Sequence, residues 1–172
     1  MDGIDWAGSA MVAARSRLEI AADNLANVST DGFRGSIARG ALTPSGVAIA
    51  AVQLERQGAL RHTGRDTDLA IVGNGAFLVR DRLGRVSATR NGAFTRGVDG
   101  KLRDDAGRVL FATRLAAGSS VRSGFLETAN VDAVAEMIAM LAAQRSFESA
   151  ERVVAAIDQT RQKAAGDVGK AA

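Results

Sequence analysis

The 172-residue sequence predicts an α+β fold: long N- and C-terminal helices pairing as a coiled coil, with a small antiparallel β domain inserted between them. Three observations carry this. Apolar residues recur every seven places near the N-terminus, a long stretch without Gly or Pro fills the C-terminal third, and the middle alternates short β-favouring runs with Gly-containing turns. The apolar material, 47% of the chain, is mostly Ala, Val, Leu and Ile, with six Phe, one Trp and no Tyr. Such small side chains suit close helix packing better than one bulky aromatic centre.

The first element follows from Ile4, Met11, Leu18 and Leu25, with Ala7, Ala14, Ala21 and Val28 three places after each. This is a heptad stripe with large residues at one seam position and mostly alanine at the other. Turn residues Ser29, Thr30, Asp31 and Gly32 end it, so segment 1–32 is assigned to the N-terminal helix. Residues 33–68, rich in Gly, Ala and Ser with one Pro, read as an extended, irregular linker.

Segment 69–123 reads as the β domain. Asn74-Gly75, Leu83-Gly84, Asn91-Gly92, Asp99-Gly100 and Ala106-Gly107 punctuate five or six expected strands, Asn-Gly and Asp-Gly being strong hairpin signals. Phe77, Phe94 and Phe111 sit in apolar contexts that suggest core. Segment 124–172 holds the last helix. Val131, Val134, Ile138 and Leu141 mark one face, and Met140, Ala143, Phe147, Ala150, Val154 and Ile157 a second. Thr128 or Asn130 is the expected cap and Gly166 the expected stop. This apolar band is wider than one partner needs, and the pattern alone fits either two helices of a bundle or a coiled-coil assembly.

Composition removes several chemistries. Without Cys there is no disulfide or thiolate site, and the single His62 leaves no multi-histidine zinc site. His62 also has no nucleophile-elbow pattern to join, so a structural or surface role is expected. Gly73-Asn74-Gly75 lacks the third Gly, Lys and following helix of a phosphate loop. Asp66 with Asp68, and Asp104 with Asp105, are carboxylate pairs too small to form a ligand set. No catalytic residue, cofactor or metal is assigned. The acidic start, Asp2 and Asp5, does not suit a secretory signal, and the longest uncharged run, 40–54, is too short to span a bilayer, so neither membrane insertion nor a cleaved signal peptide is expected.

Charge is unevenly placed: residues 1–32 carry −3, 33–126 carry +8 and 127–172 carry −2. Arg80, Arg82, Arg85, Arg90, Arg96, Arg103 and Arg108 punctuate the strands, which raises an Arg-rich nucleic-acid-binding β module as an alternative. Stacking aromatics are scarce there, so nucleic acid is not the expected partner. Arginine also suits carboxylate pairing between protein surfaces, and Arg80, Arg82 and Arg85 are the candidate outer contacts.

Three stretches then carry a resemblance. AADNLANVSTDGFRG (21–35) contains Asn24, Leu25, Asn27, Gly32 and Phe33. GFLETANVDAVAEMIAMLAAQRSFESAERVV (124–154) contains Asn130, Gln144 and Arg145. LRHTGRDTDLAIVGNGAFLV (60–79) precedes TRNGAF (89–94) and DGKL (99–102). Together they resemble the flagellar rod and hook proteins, chiefly the longer proximal or distal rod members in shortened form. Asn74 stands where that family usually has Asp, Ala76 where Phe is usual, and 111–124 reads as a short connection in place of further β structure. The resemblance implies a structural subunit of the basal-body rod, polymerising through its terminal helices into a hollow axial tube that transmits torque and passes exported subunits. It also implies copies of itself and neighbouring rod and hook proteins as partners, passage through the flagellar type III export apparatus, contact with an enclosing ring, and location in the periplasmic rod. A transient rod assembly or cap factor is the alternative within the same system. On this reading Ile4, Met11, Leu18, Leu25, Val131, Val134, Ile138, Leu141, Phe147, Val154 and Ile157 form the coiled-coil and subunit interface.

Overall fold

The computed structural model describes residues 3–44 and 46–168, with side-chain environments through 163; residues 1–2 of the expected first segment and 169–172 of the last lie outside them. Helix α1 spans Gly3–Ala26 and α2 spans Ala133–Val168, with eleven strands between them among the described residues. The chain divides into two compact units. One comprises the described parts of Met1–Leu25, Ser36–Gln53 and Asp132–Ala172, and the other comprises Ala26–Gly35 and Leu54–Val131.

In the helical unit, α1 stops where the turn cluster predicted, but α2 starts and ends differently from expectation. Asp132 is its cap: its Oδ1 accepts hydrogen bonds from the Val134 and Ala135 amides at 2.9 and 3.3 Å. Thr128 and Asn130 are committed elsewhere in the fold. Gly166 does not stop the helix either. It lies within α2 and has no positive φ, the conformation a C-terminal glycine cap needs. Val131 therefore precedes α2 and belongs to the other unit, outside the helical face assigned to it.

The linker expectation fails for residues 36–53. They form β1 (Ser36–Thr43) and β2 (Gly46–Gln53), an antiparallel hairpin in unbroken register from Ser36↔Gln53 to Thr43↔Gly46. Alanine and glycine depress β propensity, and most of these side chains are exposed, so no strong alternation marks the strands in sequence. The hairpin is fixed to its own unit by polar contacts: Val47 N donates to Ser9 Oγ at 3.4 Å and Ser36 pairs with Asn24.

The β unit contains β3 (Leu60–His62), β4 (Leu69–Val72), β5 (Gly75–Arg80), β6 (Val86–Thr89), β7 (Thr95–Arg96), β8 (Leu102–Arg103), β9 (Val109–Leu115), β10 (Ser120–Ser123) and β11 (Phe125–Glu127). Six of these, β4 to β9, begin within 69–111, where five or six were expected, but 111–124 is largely strand where a short connection was expected. One sheet has the order β6-β5-β9-β8-β7; β10 pairs β4 and β11 pairs β3. Ile71, Phe77, Val79 and Phe94 are fully buried and form the core with Leu69, Leu102 and Leu110. Phe77 and Phe94 meet edge to face at 5.4 Å, a geometry that adds about 0.5–1.5 kcal/mol to their burial. Phe111 departs from its expected core position: it is exposed, and the Arg80 guanidinium lies 4.3 Å over its ring.

The Leu83-Gly84, Asp99-Gly100 and Ala106-Gly107 turns do join paired strands, but the two Asn-Gly steps are not hairpin turns. Asn74-Gly75 lies between β4 and β5 and Asn91-Gly92 between β6 and β7, and neither pair of strands is hydrogen-bonded. Among the described residues none other than glycine has positive φ, so Asn74 does not take the left-handed conformation expected of it; Gly73 does, with φ 92°.

A buried carboxylate contributes to the acid response of this unit. Arg65 holds Asp68 through two bonds, Nη2 to Oδ1 at 2.6 Å and Nε to Oδ2 at 3.0 Å. Burial alone would raise the Asp68 pKa, but hydrogen bonds from Arg65 and Thr63, with the charges of Arg65 and Arg61, outweigh it and hold the carboxyl below its usual range. A carboxyl depressed by folding stabilises above its unfolded value, about 3.9, and that contribution is lost as pH falls through the lower folded value. The melting temperature should therefore hold from neutral pH down to about 4 and fall below it. Asp68→Asn should be less stable at neutral pH and show a flatter acid limb in circular-dichroism melts.

Candidate assembly surface

Within the helical unit the two helices run side by side in opposite directions. A Cβ at Gly3 would meet Ile157 Cδ1 at 3.3 Å. Met11 shares a cleft with Val154, Leu18 shares one with Phe147, and Asn24 Nδ2 donates to Glu136 Oε1 at 3.0 Å. The alanines occupy the seam: Ala7, Ala13, Ala14 and Ala21 on α1 and Ala143 and Ala150 on α2 are all buried. The large heptad residues Ile4, Met11, Leu18 and Leu25 are half-buried beside it, as are Met140, Phe147, Val154 and Ile157. Small side chains let the backbones approach, so the larger ones flank the contact line instead of filling it.

The structure separates the two apolar faces assigned to α2. One packs on α1; the other is open, with Val134, Ile138 and Leu141 at 64, 63 and 56% exposure and Met137 beside them. Trp6 and Val12 are also exposed on α1. A row of aliphatic side chains on one helical face, left uncovered in a folded chain, is an unspent hydrophobic surface of the kind that marks protein interfaces. Gln144 and Arg145 are exposed on the same helix, and Gln144 lines the cleft around Leu18 and Phe147.

The motif asparagines act locally as clamps. In the helical unit, Asn24 is 1% exposed; its Oδ1 accepts from Ser36 N at 2.8 Å and its Nδ2 donates to Ser36 O at 2.7 Å. In the β unit, Asn130 Oδ1 accepts from Gly35 N at 2.8 Å while Nδ2 donates to Leu54 O and Arg56 O at 3.3 and 2.6 Å. Gly32, φ 71°, donates its N–H to Glu127 O at 2.6 Å, and Phe33 O accepts from Asn130 N at 3.4 Å. Asn27 Oδ1 accepts from Thr30 Oγ1 at 3.3 Å in the turn after α1.

Most of the arginines proposed as a basic surface are already used. Arg90 is buried: its Nε donates to Glu127 Oε2 at 2.7 Å, its Nη1 to Gly73 O and Gly75 O, and its Nη2 to Ile71 O. Glu127 Oε1 accepts from Gly58 N at 3.1 Å. Arg85 and Arg108 each close a loop of the form Asp-x-x-Gly-Arg, Nε to Asp81 Oδ2 and to Asp104 Oδ2, both at 2.7 Å. Arg103 pairs with Asp99 at 2.7 Å. Of the three candidate outer contacts, Arg80 and Arg82 are exposed while Arg85 is held within its own hairpin. The repeated Asp-x-x-Gly-Arg spacing was the readable sign of this pairing; nothing local in sequence marks Arg90 and Glu127 as partners. His62 is exposed, its ring 4.9 Å from Phe125. Among the described residues no group of three or more His, Asp or Glu is placed to hold a metal ion, and no helix is long and apolar enough to cross a membrane.

Comparison with known proteins agrees with this layout at both ends. Residues 4–34 match the family model of flagella basal body rod proteins, and 122–166 match the C-terminal model of flagellar basal body rod FlgEFG proteins. The flagellar hook protein FlgE of Brucella abortus is 35% identical over 149 residues, covering 80% of this chain and 37% of that protein. The flagellar basal-body rod protein FlgG of Agrobacterium fabrum is 29% identical over 128 residues, 59% of this chain and 49% of the relative. FlgE of Escherichia coli is 35% identical over 93 residues, 50% of this chain and 23% of the relative. The chain thus spans well under half the length of the hook relatives, and both hook and rod proteins are among its matches. With family segments matched at each end and relatives aligned through the middle, the chain belongs to the flagellar rod and hook family of axial proteins.

Proposed function

We propose that this chain is an axial structural subunit of the flagellum, placed in the basal-body rod, whose terminal helices pair as a coiled coil and pack against those of neighbouring subunits to build a hollow tube. The observation that carries the reading is the open face of α2: Val134, Ile138 and Leu141 are exposed after the opposite face has packed on α1. Neighbouring helices would cover that face, and its burial would offset the entropy lost on assembly. Arg80 and Arg82 of the β unit are then offered to adjacent subunits or to an enclosing ring. Delivery runs through the flagellar type III export apparatus, and torque passes along the assembled helices. Nothing in this role requires a cofactor or catalysis.

Two substitutions separate assembly from folding. Ile138→Asp puts a charge on the open face, so the monomer should keep its circular-dichroism spectrum and melting temperature while a strain carrying it as the sole copy loses motility. Leu18→Asp buries the charge in the α1–α2 contact and should also unfold the helical unit. Normal motility with Ile138→Asp would end the interface assignment. Quantitative mass spectrometry of basal bodies purified with and without hooks tests the placement: several copies per hookless particle fit a rod subunit, loss with the hook fits a hook subunit, and absence from both fits a transient assembly or cap factor.

A further inference from the structure

We infer that Asn74 is a site of spontaneous deamidation, selected by the fold over the chemically equivalent Asn91. Both precede glycine, so in both the following amide nitrogen has no side chain to shield it. The reaction needs only water. The Gly75 nitrogen gives up its proton and attacks Asn74 Cγ; as that N–C bond forms, the Cγ–Nδ2 bond breaks, and Nδ2 takes up a proton and leaves as ammonia, giving a five-membered succinimide. Water then opens either carbonyl of the ring, yielding aspartate or isoaspartate.

The two sites differ in what the fold permits. Asn74 is exposed, and among the described residues its carboxamide has no hydrogen-bond partner. Ala116 N donates to Asn74 O at 2.9 Å, which makes Gly75↔Leu115 a non-hydrogen-bonded strand pair and turns the Gly75 N–H away from β9. Asn91 is held. Its Oδ1 accepts from Ala93 N at 2.9 Å, its own N–H donates to Thr89 Oγ1 at 3.1 Å, and the buried Gly92 lies so close to Leu69 that an added Cβ would sit 1.6 Å from Leu69 O. Gly75 also lies against backbone, an added Cβ meeting Arg114 O at 2.4 Å, so what separates the two sites is the carboxamide: that of Asn91 is tied to Ala93 N, which prevents the approach that ring closure requires, and that of Asn74 is not.

The site also touches the buried network. Gly73 O and Gly75 O, which flank Asn74, both accept from Arg90 Nη1, at 2.9 and 3.2 Å. Isoaspartate adds a methylene to the backbone between these two carbonyls, whereas aspartate leaves the backbone unchanged. The isoaspartyl form should therefore melt lower, and Asn74→Asp should not.

The test is to age the full chain in mildly alkaline buffer and map amide-to-acid conversion by peptide mass spectrometry with fragmentation that separates aspartate from isoaspartate. Conversion at Asn74 should be at least about tenfold faster than at Asn91, should accelerate with pH, and should become comparable at the two sites in urea. Asn74→Gln should remove the fast phase and the loss of melting temperature. Equal rates in the folded chain, or faster conversion at Asn91, would overturn the assignment.

Discussion

Truncating Glu127 to alanine should destabilise the β unit by about 3–5 kcal/mol, the range for removing one partner of a buried ion pair. The Arg90 and Glu127 side chains are 5 and 2% exposed, so solvent cannot replace the lost carboxylate. Arg90 would keep its bonds to the carbonyls of Ile71, Gly73 and Gly75 but carry an uncompensated charge. Gly58 N–H would also lose its acceptor. Urea denaturation followed by Phe-rich core protection in hydrogen exchange should show early opening of the β unit. Pairing the truncation with Arg90→Met should recover a large part of the loss, because the stranded charge is then gone. If the single and double variants unfold at the same urea concentration, the charge is not what matters and the side chains act only by packing.

Gly32→Ala should be comparably damaging for a different reason. A Cβ there would lie 2.3 Å from Asn91 N and 2.4 Å from Arg90 C, both backbone atoms, and φ is 71°. Holding a non-glycine residue in that conformation costs about 1–3 kcal/mol, and moving the backbone that blocks the new methyl costs a further about 1–3 kcal/mol. Because Gly32 N also donates to Glu127 O, the shift strains the strand that carries the buried carboxylate. Thermal melts should show the loss without any change of charge. A Gly32→Ala chain as stable as its parent would mean that the turn after α1 is free to relax.

The two motif groups behave differently under this reading. Asn130 and Gly32 are legible in sequence as cap and turn types and Asn24 only as part of the 21–35 motif, yet the partners of the asparagines lie far along the chain: Ser36 and Glu136 for Asn24; Gly35, Leu54 and Arg56 for Asn130. Residue type announced that something was needed there, and only the folded chain supplied the acceptor or donor. The Asn-Gly steps make the converse case. Their local chemistry favours hairpins, but the strands on either side pair with others, and the glycines serve close backbone approach instead.

The helices, their approximate ends and the β character of the middle were determined by the sequence, because heptad spacing, turn residues and Gly-punctuated β runs act over a few residues. Which α2 face packs on α1, which stays open, the 36–53 hairpin and the Arg90–Glu127 pair were decided only by the tertiary structure. Each depends on contacts between distant segments: an apolar stripe shows that a surface must be buried without naming the partner that buries it, and a buried charge is tolerable only where the fold brings its counter-ion.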